Sequence, residues 1–340
     1  LSLTQTYHYN NFAGIGQGML GLLRLSKRDK KYSKKGFLSM NSNQEYRSGF
    51  IAVMGRPNVG KSTLLNRLLN QKIAAVSPKP QTTRLQQFGI LSLTDAQLIF
   101  IDTPGLHHPQ HKLGEFMNKD ARLALEDADT ALVVFDVSFP PSEEDHLFGE
   151  VIKEVKNQPT VFLALNKTDK VTPTQLKEHK DRYQALLPEA KLIPVSAITG
   201  DNIDLLLAAL KDSLPEGPQL YPEDQITDLY ERDIAADMIR AASMLHLQRE
   251  LPHVIAVRID EYNERGNHGA YIEATIFVER DSQKGIIIGE GGRMIKRIGS
   301  TARKEIEAMS GRKVFLKLRV KVKKNWRNDI NALRLFGFKK

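Results

Sequence analysis

Residues Gly55 to Thr63, reading GRPNVGKST, match the phosphate-binding pattern G-x-x-x-x-G-K-[ST] at every fixed position. The chemistry of such a loop is electrostatic: main-chain N–H groups at a helix N-terminus face an anion, and glycines let the backbone approach it. Gly55 and Gly60 supply the close approach, with Arg56, Pro57, Asn58 and Val59 forming the arc between them. Lys61 is placed to reach the outer phosphates, the Ser62 hydroxyl to bind Mg²⁺, and Thr63 to continue the helix.

Further motifs follow in order. Asp102-Thr103-Pro104-Gly105 is a D-x-x-G element, in which Asp102 holds Mg²⁺ mainly through water and the Gly105 N–H meets the last phosphate. Asn166-Lys167-Thr168-Asp169 is an N-K-x-D element. Its aspartate selects the base, because guanine offers N1–H and a 2-amino group to one carboxylate and adenine has no such pair. Asn166 would fix the loop and the base edge, the Lys167 stem would cover the base face, and Ser196-Ala197 could give a backbone N–H to the guanine carbonyl. Together the motifs specify GTP and GDP as ligands. In the segment Pro80-Gln81-Thr82-Thr83-Arg84, one threonine should bind Mg²⁺ in the triphosphate state; Thr83 is favoured and Thr82 is the alternative. The Mg²⁺ set is therefore Ser62, Thr83 and Asp102, and the catalytic set is Lys61, Thr83, Gly105 and Asn58. After Gly105 comes Leu106, where many small GTPases place a glutamine that orients the attacking water. Leucine cannot form that hydrogen bond, so hydrolysis should be slow without an activator.

These residues need a frame. Short apolar runs at Phe50–Met54, Leu98–Ile101, Ala131–Phe135, Val161–Leu165 and Leu192–Val195 alternate with helical patterns, the signature of an α/β domain with a mainly parallel sheet. Each motif falls just after a strand, at the carboxyl edge where open α/β sheets bind ligands. The nucleotide domain is expected over residues 49–214, followed by a turn-rich linker over 215–225 containing Leu214-Pro215-Glu216-Gly217-Pro218 nearby and Pro222.

Residues 226–340 read as a second, α+β domain. An amphipathic segment from Thr227 to Leu247 precedes two strand-like runs, His253–Tyr262 and Ala270–Arg280, with a polar hairpin loop between them. Gly289-Glu290-Gly291-Gly292 then matches the G-x-x-G of a KH domain, a loop that clamps about four single-stranded nucleotides. Arg293, Lys296 and Arg297 on the following helix would attract phosphate, and bases would lie over Ile287, Ile288 or Ile295. Glu290 should repel phosphate, shifting binding onto Arg293 or Lys296. Strand Val314–Val322 alternates apolar with basic residues, and Trp326 is read as a packing anchor rather than a base platform. Residues 280–340 hold 18 basic and 5 acidic side chains, which favours a polyanionic partner.

From about Gly49 to Phe338, including PQTTR, DTPGLH, YPEDQITD and VKVKKNWR, the chain resembles the Era family of GTPases. The resemblance implies a P-loop GTPase domain followed by a type II KH domain, ordered helix–strand–strand–helix–helix–strand. It also implies GTP hydrolysis in the service of small ribosomal subunit assembly and maturation. The implied partner is the 3′ end of small-subunit ribosomal RNA, with peripheral contact at the inner face of a membrane. In similar GTPases an asparagine at the Asn58 position helps bind K⁺, an additional cation here. The chain is expected to be a cytoplasmic monomer that takes no DNA. Two other readings stay open: an RNA chaperone whose nucleotide is structural, and a membrane-linked signalling GTPase.

The composition, 41% apolar and 26% charged over 340 residues, fits two soluble domains. With no cysteine, disulfides and thiolate metal sites are excluded, and no apolar run reaches membrane-spanning length. His107, His108 and His111 lack a matching ligand set and are not expected to hold a metal. Glu143, Glu144 and Asp145 look like the start of a helix. Residues 1–48 read as a leader, disordered or foreign to the native chain. Met40 favours a start there with translated upstream sequence before it, and the alternative is an organelle-targeting leader in 1–39.

Overall fold

The computed structural model describes residues 46–71, 74, 87–104, 111–155, 157, 159–227, 231–248, 251–264 and 269–338. The expectations for Thr82, Thr83, Gly105, Leu106, His107, His108 and residues 1–45 lie outside these. Strand β1 (Arg47–Met54) already includes Arg47 and Ser48, so the expected leader is two residues too long.

The apolar runs form strands because a central parallel strand is covered on both faces and can be apolar throughout. In β4 (Thr130–Asp136) all seven residues are buried. With β2 (Gln87–Ser92), β3 (Ala96–Asp102), β5 (Thr160–Asn166) and β6 (Lys191–Pro194), the sheet has the order β2-β3-β1-β4-β5-β6. Only β2 runs antiparallel to its neighbour. Side chains alternate between two cores. Ile51 and Val53 pack with Leu64 and Leu65 of α1 (Lys61–Leu68) and Leu206 and Leu210 of α5 (Ile203–Asp212). Ala52 and Met54 face Leu125 of α2 (Lys112–Asp127), Phe148 of α3 (Glu143–Glu154) and Tyr183 of α4 (Pro173–Leu186).

Strand β2 escapes the sequence pattern: in QFGILS a polar residue and Gly89 interrupt a short apolar run. As an edge strand it has main-chain groups left to pair, and the first residues of the expected second domain, just past the linker, cover them. The Ile90 N–H donates to the Ile226 carbonyl at 2.7 Å, and Gly89 bridges Thr227. Beside it, the buried Gln97 accepts from the N–H groups of Leu220 (2.8 Å) and Tyr221 (2.9 Å) and donates back to the Tyr221 carbonyl (2.9 Å). Residues 215–227 are thus a strap along the nucleotide domain.

The second domain contains α6 (Glu231–His246), β7 (Ala256–Glu264), β8 (Ala270–Val278), α7 (Asp281–Ile288), α8 (Arg293–Ser310) and β9 (Val314–Val322), in the expected order. Its sheet runs β7-β8-β9, antiparallel then parallel, with β9 at an edge. Ile298, Ala302 and Ile306 recur every four residues along α8 and bury one stripe against the sheet. Trp326 is 0% exposed and its Nε1–H donates to the Val254 carbonyl at 2.9 Å, so it is a packing residue. Trp326 clusters with Leu333 of α9 (Ile330–Leu335), Phe336, Phe277 and, from the nucleotide domain, Leu113 and Met117 of α2.

Gln97→Ala strands two strap N–H groups and should cost about 1–3 kcal/mol. Urea unfolding should therefore show a lower midpoint; an unchanged midpoint would mean that the strap contributes nothing to stability.

Candidate nucleotide and RNA sites

Strands β1, β3, β4 and β5 deliver Gly55, Asp102, Asp136 and Asn166 to one edge of the sheet. The loop that leaves β1 is held open by its backbone. At Gly55, φ is +147° and a Cβ would lie 2.4 Å from the Val134 carbonyl oxygen, so no side chain fits. Asn58 is also left-handed (φ 66°), with its side chain exposed. Gly60 begins α1 in the left-handed region, and no side chain caps this helix, which leaves its first N–H groups to an anion. Ser62 and Thr63 are half-buried in the first turn.

Lys61 is buried, and its ammonium donates to the carbonyls of Gly55 (2.8 Å) and Arg56 (3.0 Å). Burial lowers its pKa to about 8, against the opposing effect of the Asp102 carboxylate. Asp102 accepts from Gln87 Nε2 at 3.2 Å, and the Thr103 hydroxyl donates to the Val53 carbonyl at 2.8 Å, with Pro104 buried beside it. Arg56 pairs at 2.8 Å with Asp145, in the first turn of α3. Asp145 also accepts from the N–H and hydroxyl of Ser142, so the expected helix start doubles as an anchor for the phosphate loop.

Asn166 bridges three loops: its Nδ2 donates to the Val59 carbonyl (2.8 Å) and its Oδ1 accepts from the Ala197 N–H (3.0 Å). These contacts tie the three loops together. Lys167 is left-handed (φ 70°), and its ammonium reaches the Asn58 carbonyl at 2.8 Å and the Asp136 carboxylate. Its stem thereby spans from this loop to the phosphate loop. Thr168 starts a single 3₁₀ turn containing the exposed Asp169, which accepts from the buried Ser196 hydroxyl at 2.6 Å. Ser196 accepts in turn from the Thr199 N–H. A carboxylate held in this way presents its remaining lone pairs in a fixed direction, as recognition of paired donors requires.

Sequence reasoning missed Asp136, Gln87 and the second role of Asp145. The signal for Asp136 was present: it ends a buried apolar run at the same edge as the other motifs.

In the second domain the turn Gly289–Gly292 joins α7 to α8, with all three glycines at positive φ. At Gly289 a Cβ would come within 2.7 Å of Met294 Cβ. Glu290 pairs with Arg293, and Lys296 and Arg297 project from α8 into solvent. A groove of about 450 Å³ runs between α8 and β9, lined by Ile295, Lys296, Gly299, Arg303 and Leu318. Ile287 corrects one expectation: it is 0% exposed in the core and cannot meet a base, whereas Ile288 and Ile295 are half-buried.

A phosphate loop, a guanine-side loop and this basic helix–turn–helix on a three-stranded sheet define a P-loop GTPase carrying a KH domain. The family model described as 50S ribosome-binding GTPase matches residues 50–167, and the KH domain model matches residues 250–327. A crystal structure of Era in complex with MgGDPNP and nucleotides 1506–1542 of 16S ribosomal RNA is 38% identical, with TM-score 0.82 over 87% of this chain and 100% of that one. An Era variant from Aquifex aeolicus bound to GDP·AlF4⁻ is also 38% identical, with TM-score 0.80 over 86% of this chain and 100% of that one. The chain belongs to the Era family of GTPases.

The depressed Lys61 pKa has a measurable consequence. Phosphates favour the charged ammonium, so binding should take up a proton above pH 8, and GTP affinity should fall as pH rises through that value. Calorimetry at about pH 8.5 in buffers of different ionisation enthalpy should record net uptake that Lys61→Arg abolishes. Zero uptake by the wild type would contradict the buried, depressed lysine.

Proposed function

We propose that this chain is a GTP-driven switch that holds the 3′ end of small-subunit ribosomal RNA in its KH domain and assists assembly and maturation of the small ribosomal subunit. One observation carries the proposal: the relative matched over its full length was crystallised with both MgGDPNP and nucleotides 1506–1542 of 16S ribosomal RNA. The family model whose description mentions the 50S particle spans only the nucleotide domain. The RNA partner is therefore taken from a relative that matches both domains. On this reading the protein works where small subunits are assembled, in the cytoplasm, or in an organelle if residues 1–39 direct it there.

On this reading Gly55–Gly60 and the first N–H groups of α1 cradle the phosphates, and Lys61 leaves the loop carbonyls to meet them. Ser62, Asp102 and Thr83 hold Mg²⁺, which when bound supplies positive charge to the phosphate oxygens. The buried Asp102 and the adjacent first turn of α1 are a hard-oxygen donor set suited to that ion. Asp169, fixed by Ser196, reads guanine. Gly105 contributes its N–H at the last phosphate. Asn58 is solvent-facing on the loop and is assigned to K⁺; hydrolysis should be faster in K⁺ than in Na⁺, and equal rates would remove this role.

Gly289–Gly292 lets the RNA backbone approach the start of α8, where Lys296 and Arg297 meet phosphates. Coupling to nucleotide runs through α2, which begins at Lys112 after the D-x-x-G loop and shares a core with Trp326.

The test is binding of a fluorescent RNA from the 3′ end of small-subunit ribosomal RNA, at fixed salt, with GDP and with a non-hydrolysable GTP analogue. Tighter, sequence-dependent binding with the analogue is expected. Glu290→Gln should release Arg293, tighten binding and steepen the salt dependence by about 0.7 in log–log slope, one phosphate contact on a single strand. Equal, sequence-blind binding in both nucleotide states would leave the GTPase intact and remove the switch.

A further inference from the structure

The groove beside α8 extends along β9. Its lining includes Phe315 of the edge strand β9, whose side chain is 66% exposed. Along β9 the even-numbered residues Leu316, Leu318, Val320 and Val322 are half-buried, while Phe315, Lys317, Arg319 and Lys321 are exposed. The ring therefore stands where the groove turns over the sheet edge onto the opposite face.

A single exposed phenylalanine is ordinary; this one is held in place. Tyr271 is its register partner on β8, and the two rings stack with centroids 5.6 Å apart and planes only 10° from parallel. Next to them, Glu273 accepts from the Tyr271 hydroxyl (3.1 Å) and the Lys317 ammonium (3.0 Å), and pairs with Arg319 at 2.5 Å. The Glu273 side chain is only 9% exposed, whereas the two cations are about half exposed, at 45% and 48%. One sheltered carboxylate thus aligns two cations beside a prefixed aromatic pair, and the cluster keeps a net positive charge.

We propose that Phe315, backed by Tyr271 and flanked by Lys317 and Arg319, is a base-stacking platform that extends the RNA track beyond the KH groove. Three features select single-stranded RNA as the occupant: continuity with the groove, the excess of cations, and a flat ring face parallel to its support. A KH groove accommodates about four nucleotides, so a longer strand must leave it, and the β9 edge is an open side. The next base stacks on Phe315 while Lys317 and Arg319 meet its flanking phosphates. Stacking tolerates any base, so the platform adds affinity and reach rather than sequence choice.

This inference rests on the RNA reading above, and the experiment separates the two. Anisotropy at fixed salt would compare RNA of about four nucleotides, enough for the groove, with RNA of about ten from the same 3′ end, long enough to pass Phe315. Wild type should bind the longer RNA more tightly. Phe315→Ala should lose about tenfold on the longer RNA and nothing on the shorter, and Phe315→Trp should retain the gain. 2-Aminopurine in the added nucleotides should be quenched by wild type and not by Phe315→Ala. The exposed position predicts that melting and GTP hydrolysis stay unchanged in Phe315→Ala.

Failure of wild type to bind either length overturns the RNA reading and the platform together. Equal affinity of wild type for both lengths, or of Phe315→Ala and wild type for the longer RNA, overturns the platform alone. Loss of binding to phosphatidylglycerol vesicles by Phe315→Ala, with RNA affinity intact, overturns it in favour of an anionic membrane surface.

Discussion

One carboxamide holds the nucleotide site in register. Asn166 spends its donor on Val59 in the phosphate loop and its acceptor on Ala197 in the last loop, while being itself the final residue of β5. Three loops that share no sequence neighbourhood are joined by two buried hydrogen bonds, each expensive to leave unmade. Neither a carboxylate nor a hydroxyl could replace it, because the site needs one donor and one acceptor about an amide apart. The adjacent Lys167 adds a third link, to Asn58 and Asp136. The residues proposed to read the base and those proposed to cradle phosphate are consequently tied into one hydrogen-bonded assembly on the carboxyl edge of the sheet.

Charge is distributed around that assembly in a way that prepares it for an anion. Burying an ammonium is costly unless it is paired and hydrogen-bonded. Lys61 is satisfied by two carbonyls and remains depressed to about 8. Arg56 is treated differently: its partner Asp145 is fully buried and separately fixed by Ser142, so its charge anchors the loop. Two cations within six residues therefore have opposite uses. One is held by neutral carbonyls that an anion can outcompete, and the other is committed to a carboxylate.

Much of the frame was legible in the sequence because it rests on local pattern. The buried runs of β1, β3, β4, β5 and β6 and the glycine-lysine loop follow from periodicity and turn residues, whereas the helix–strand–strand–helix–helix–strand order of the second domain came with the family resemblance. The illegible parts are those decided by distant partners. Strand β2 has little pattern of its own and exists because β3 pairs with it on one side and Ile226 on the other. Gln97 would pass for a polar interruption in an apolar run, yet it is the buried clasp for the strap. Asp145 was readable as a helix start but not as a partner for Arg56, which lies 89 positions away in the chain. Ile287 shows the opposite error: its apolar neighbours and nearness to the glycine turn made it a candidate base contact, and only the helical phase of α7 turns it into the core.

The two domains are joined at the places where a nucleotide-dependent change would first be felt. Strand β2 begins at Gln87, which holds Asp102, and within three residues its edge pairs with the strap that leads into α6. Helix α2 begins after the D-x-x-G loop, and Leu113 and Met117 in its first two turns are buried with Trp326, Leu333 and Phe336 of the KH side. Close-packed apolar contacts have a few discrete arrangements rather than a continuous range. A shift of α2 by a fraction of a side chain would therefore have to be matched at Trp326, and Trp326 is anchored in turn to Val254, two residues before β7. Allosteric couplings amount to about 1–3 kcal/mol, no more than burial of one apolar side chain. The contacts of Leu113 and Met117 are thus large enough to carry the proposed coupling between the nucleotide and RNA sites.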